Sequence, residues 1–143
     1  MEMTNKPTEY TGSTLEQFKA WLEQNRQFNV LVGRKWVACS DLLGFLQALA
    51  GKTLLEILSH ILAAAEANKD NPGFVKVGKS DMNAKGLVLF LVLQAWNSLV
   101  SAGDAAPVCE LVKQLMKDAK PGSPLHGEGR HAMEKLGCKP AAK

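Results

Sequence analysis

GLVLFLVLQAWNSLV, residues 86–100, is the most apolar run in the chain, and the architecture turns on what it forms. It is too long for an ordinary strand, which averages about 5–6 residues. Leu87, Leu91 and Gln94 share one helical face, while Val88, Leu93 and Trp96 cover others. A helix apolar on all sides is buried in a core or in lipid. A bilayer span needs roughly 20 apolar residues, and Gln94, Asn97 and Ser98 interrupt this run before that length. We therefore expect a central core helix and no membrane partner. Ser80 or Asp81 is the expected N-terminal cap. Gly103 is placed to end the helix in a left-handed conformation.

The rest of the chain reads as cover for that helix. The motif STLE at 13–16 is a capping-box pattern opening a helix to about Asn25, with Leu15, Phe18 and Leu22 as its stripe. A short helix over 41–50 follows, capped by Ser40 or Asp41. Gly51-Lys52 breaks it, and Thr53 caps a helix over 54–68. The stretch NKDNPG at 68–73 is a loop by composition. Pro107 suits the first turn of a helix, and Val108, Leu111, Val112, Leu115 and Met116 repeat at helical spacing along it. Pro121-Gly122 stops that helix, and a weaker one spans 128–136 before Gly137.

Only one region reads as β. FNVLVGRKWVAC, residues 28–39, alternates apolar and polar residues around Gly33, the pattern of a hairpin. A lone hairpin is marginal in water, and Phe74–Val77 is the expected third strand. The expected fold is mainly α: a compact bundle of five to six helices around a buried central helix, with a small β-hairpin element. Residues 1–12 read as a flexible lead-in, 13–137 as one mainly helical domain, and 138–143 as a flexible basic tail.

With 143 residues, 46% hydrophobic and 22% charged, the chain has an ordinary globular composition. Its polar opening carries no apolar signal core, so the expected location is cytoplasmic. Cys39, Cys109 and Cys138 are an odd number and far apart, which leads us to expect reduced thiols. The net charge of +3 is uneven: residues 113–143 hold seven basic and three acidic groups, a net +4, and residues 1–112 hold ten against eleven, a net −1.

Chemistry-bearing patterns are weak. AGKT at 50–53 matches the end of a phosphate-binding loop, but Leu46 stands where the first glycine belongs and no strand precedes it. Helices 41–50 and 54–65 have a helix-turn-helix outline, yet LLEILSHILAAA offers no Arg, Lys, Asn or Gln to read a base edge. His126, His131 and Cys138 fit no standard zinc spacing. His60 reads as a core histidine. Cys39-Ser40-Asp41 lacks a recognisable base partner. We expect no cofactor, no metal and no catalytic residue.

What remains is an exposed basic tip, Arg34 and Lys35, beside Trp36, although a Trp is more often core. Lys113, Lys117, Lys120 and Arg130 form a second basic group. The expected function is a non-enzymatic interaction protein, an adaptor, inhibitor or accessory factor of the size that phages and plasmids encode. Its expected partner is another protein. Nucleic acid held through phosphates at the tip and the C-terminal segment is the alternative. Helices apolar on more than one face are also compatible with a homodimer.

Overall fold

The computed structural model describes residues 10–32 and 35–138. The element order is α1 (Leu15–Gln24), β1 (Asn29–Val32), β2 (Lys35–Ala38), α2 (Cys39–Gln47), α3 (Leu54–Ala67), β3 (Phe74–Val77), β4 (Ser80–Asn83), α4 (Ala84–Ser101), α5 (Ala105–Met116) and α6 (Pro124–Leu136). The fold is mainly α with two small antiparallel hairpins.

The run at 86–100 lies within α4, and α1, α3, α5 and α6 all pack against it. Leu87, Val88, Leu89, Leu91 and Val92 are fully buried. By length and composition α4 could span a bilayer; here the other helices cover its Leu87, Val88, Leu91 and Val92 side, while Phe90, Leu93 and Trp96 are half-buried and Val100 is exposed. It ends as expected. Gly103 takes φ +79, its N–H donates to Val100 and that of Asp104 donates to Leu99, which satisfies the last carbonyls of the helix. Thr53 also caps α3 as expected, in a reciprocal capping box with Glu56.

Four expectations are corrected. Phe74–Val77 does not join the first hairpin. It pairs with Ser80–Asn83 in register Val77↔Ser80 to Phe74↔Asn83. Gly78, at φ +62, makes the two-residue turn, and a Cβ there would run into the Asp41 side chain. Because Ser80 and Asp81 are used in β4, the cap of α4 is Asn83, whose side chain accepts from Gly86 N–H. In α1 the cap is Thr14 with Gln17, not Ser13 with Glu16. The Ser13 carbonyl is engaged elsewhere, by Asn97 N–H at 2.8 Å. Finally, α2 has no side-chain cap; β2 runs straight into it, and Cys39 N–H donates to Phe28 at 3.0 Å as a continuation of the ladder.

The Asn97 contact belongs to a break in α4. Ala95 sits at φ −135, ψ 31, outside helical geometry. In an unbroken helix Asn97 N–H would bond four residues back; here residues 10–15 supply the partners. The Tyr10 hydroxyl donates to the Gln94 carbonyl at 2.9 Å, and Ser98 Oγ accepts from Leu15 N–H at 2.8 Å. The Tyr10 ring meets Phe18 and Trp21 edge-on, at 5.3 and 5.8 Å. Tyr10 falls in the stretch read as lead-in; residues 1–9 lie outside the described residues, as do 139–143 of the expected tail.

The cysteine expectation fails as well. Cys109 and Cys138 form a disulfide, with Cα atoms 5.8 Å apart. They are 29 residues apart in sequence, but α6 turns back along α5 and returns its end to the start of that helix.

Candidate functional site

The first hairpin pairs Asn29↔Ala38, Val30↔Val37, Leu31↔Trp36 and Val32↔Lys35. Side chains alternate between faces. Val32 and Val37 point into the core and are buried. That parity forces Leu31 and Trp36 outward, where they are 45% and 60% exposed. The expectation that Trp36 belongs to the core is therefore corrected. The alternation in FNVLVGRKWVAC carried the signal: once Val32 and Val37 are inside, Trp36 cannot be.

Leu31 and Trp36 face each other across the hairpin. Because Cys39 bonds to Phe28 and bonded pairs alternate with unbonded ones, Leu31↔Trp36 is an unbonded pair. Side chains approach most closely at such pairs, and the backbone N–H and C=O groups point away from the partner strand. Each sheet has two strands, so the outer edges carry no further strand among the described residues. The result is a compact apolar spot in solvent, flanked by free strand edges.

Lys35 is the first residue of β2. Its ammonium donates to the Asp81 carbonyl at 3.1 Å, tying the first hairpin to β4. Asp81 in turn faces Lys76 Nζ at 3.3 Å and accepts from Asn71 at 3.3 Å. A groove of about 210 Å3 runs between the hairpins, lined by Val32, Phe74, Met82 and Leu87. Arg34, the other basic tip residue, lies outside the described residues.

The second basic group is built on other elements. Lys113 lies on α5 and is paired with Glu110 at 3.4 Å. Lys117 and Lys120 are exposed in the α5–α6 connection, and Arg130 is exposed on α6. The first hairpin packs on α2 and α4, whereas α6 packs on α4 and α5. The six described residues thus divide into a hairpin pair, Lys35 and Trp36, and an α5–α6 set, Lys113, Lys117, Lys120 and Arg130.

The catalytic and metal candidates fare differently. Cys39 is fully buried, and burial pushes its thiol pKa up, the wrong direction for a nucleophile. His60 is exposed on α3, with its ring 6.4 Å from that of Phe45, and is not the core histidine expected. Cys138 is consumed by the disulfide, which removes it from any ligand set with His126 and His131. Among the described residues no three His, Cys, Asp or Glu side chains cluster at metal-binding spacing.

AGKT lies at the α2–α3 turn beside a cleft of about 420 Å3, between the starts of α1 and α3 and the end of α4. The N–H groups of Thr14 and Gln17 and of Thr53 and Glu56 are already bonded within the two capping boxes.

No protein family, curated protein or solved structure matches this chain.

Proposed function

We propose that this is a non-enzymatic interaction protein, an adaptor, inhibitor or accessory factor, which binds another protein through the outer face of the β1–β2 hairpin. One observation carries the reading: the opposed Leu31–Trp36 pair left in solvent beside Lys35. Tryptophan is strongly over-represented among residues that dominate binding energy at interfaces. With 60% of Trp36 and 45% of Leu31 exposed, the pair offers about 200 Å2 of apolar surface, a gross stabilisation of about 5 kcal/mol on burial. The costs of association reduce that figure, so the pair acts as an anchor within a larger contact.

The test is capture by the tagged full chain from lysate, against a Leu31→Ser/Trp36→Ser variant whose melting temperature matches the wild type. The proposal expects a protein retained by the wild type in high salt and after nuclease, and lost by the variant. Equal capture by both forms refutes it.

The exposed Lys117, Lys120 and Arg130, none of them in an ion pair among the described residues, favour a second reading, contact with nucleic-acid phosphates, with Trp36 available to stack on a base. Such binding falls steeply with salt. Replacing Lys113, Lys117 and Lys120 with Gln would flatten the salt dependence, and an unchanged slope would exclude it.

A further inference from the structure

We propose that the Cys109–Cys138 disulfide is a redox latch on α6: closed, it holds that helix against α4 and α5; opened by thiol exchange, it lets α6 leave while the rest of the fold stays formed. Helix α6 packs along both α4 and α5, with Leu125 and Met133 half-buried against the core, but its own helix propensity is weak and its most buried positions are small. Its sequence, PLHGEGRHAMEKL, carries Gly127 and Gly129 in the interior, and each glycine costs about 1 kcal/mol of helix stability relative to alanine. Its buried residues are Gly129, Ala132 and Leu136, of which two are too small to contribute much apolar area. The connection before it contains Pro121 and Gly122, the latter at φ +88, so α6 is joined to α5 through a turn that can act as a hinge.

The latch grips the helix and not a loose end. Gly137 takes φ +73, and Cys138 N–H donates to the Met133 carbonyl at 2.9 Å, which fixes Cys138 onto the last turn of α6. Cys109 sits on α5, only 8% exposed. One covalent bond therefore ties the far end of α6 to α5, and the packing of Gly129 against Met116 and of Lys135 over Trp96 at 5.6 Å depends on the helix being held there. The third thiol, Cys39, is fully buried against the first hairpin and offers no competing partner, so an opened pair recloses only on itself.

The exchange enters through Cys138, the more exposed cysteine of the pair. A thiolate of a small-thiol reductant such as glutathione attacks Cys138 Sγ and forms a mixed disulfide. The protein S–S bond breaks, and its electron pair leaves on Cys109 Sγ, which takes up a proton. A second reductant thiolate then attacks the reductant sulfur of the mixed disulfide. It releases Cys138 as a thiolate, which is protonated, and forms the reductant's own disulfide. Two electrons and two protons pass to the protein. A reducing compartment such as the cytoplasm expected from the sequence would hold the latch open, and an oxidising one would close it.

The test uses the full chain oxidised with glutathione disulfide, then reduced with dithiothreitol, with maleimide labelling to count native thiols. Hydrogen exchange read by mass spectrometry follows each helix. The expected result is no accessible thiol in the oxidised form and two after reduction. Exchange across 124–136 then quickens by about tenfold or more, while 54–67 and 84–94 keep their protection. Cys138→Ser should behave as the reduced form with or without dithiothreitol. Three results would overturn the proposal: thiols that never pair under oxidant, unchanged exchange in α6 after full reduction, or loss of protection throughout the chain at once.

Discussion

Removing a single oxygen tests how the break in α4 is held. In Tyr10→Phe the ring keeps its edge contacts with Phe18 and Trp21, but the hydroxyl that donates to Gln94 at 2.9 Å and to Thr14 at 3.2 Å is gone. An ordinary hydrogen bond contributes about 0.5–1.5 kcal/mol net, and a partly buried carbonyl left without its partner costs about 1–3 kcal/mol. The contact is half-buried, so we expect a loss of about 1–2 kcal/mol. For a chain of this length that lowers the melting temperature by about 3–7 °C, readable by circular dichroism. Ser98→Ala removes the acceptor of Leu15 N–H on the other side of the same break. The two substitutions should couple by about 0.5 kcal/mol or more in a double-mutant cycle. The chain has one tyrosine, so its ultraviolet titration reads Tyr10 alone. Burial raises that phenol's pKa, so the folded state keeps the proton longer than the unfolded one. Stability from this group is undiminished below about pH 10 and falls above it. A Tyr10→Phe variant that melts with the wild type, or a phenol that titrates alike in folded and urea-unfolded protein, would refute this account of the break.

Other substitutions test the remaining packing. Leu91→Asp places an unpaired carboxylate in the centre of the core and should abolish cooperative melting; a sharp transition in this variant would contradict the assignment of α4. Gly129→Ala improves helix propensity by about 1 kcal/mol yet drives a methyl into the Met116 thioether, and overpacking costs about 1–3 kcal/mol. A net destabilisation in urea melts is expected, and a clear gain would mean that α6 does not press on α5 there. Burial raises the Glu128 carboxyl pKa, so its charged form carries a penalty above the unfolded-state pKa of about 4.3 that vanishes below it. Glu128→Gln should therefore stabilise the protein at pH 7 and lose that advantage in acid, as thermal melts at the two pH values will show.

Much of the architecture was legible because it follows from short-range chemistry. The apolar run of α4, the Thr53 cap, the Pro107 start and the left-handed glycines at 103 and 137 each act within a turn or two of sequence. What escaped depends on contacts between distant segments. Ser80–Asn83, SDMN, has little strand propensity of its own and becomes a strand only by pairing with Phe74–Val77 across Gly78. In STLEQ the cap is Thr14 with Gln17, and the Ser13 carbonyl beside it accepts from Asn97 N–H, more than eighty residues on, a contact no local pattern announces. Nothing local to Ala95 marks a break, and nothing in the spacing of Cys109 and Cys138 announces the return of α6 along α5. Trp36 was different: its exposure was readable from strand parity and was obscured by the general tendency of tryptophan to be buried.

The hairpin face carries the proposed function, and the most direct measurement is the affinity of a captured partner for the wild-type chain and for Trp36→Ser. An anchor tryptophan is expected to cost about 2 kcal/mol or more when removed, a weakening of about thirtyfold, with the melting temperature unchanged because Trp36 is 60% exposed. Affinities within about twofold of each other would show that the partner binds elsewhere, and the Leu31–Trp36 face would lose its claim to function.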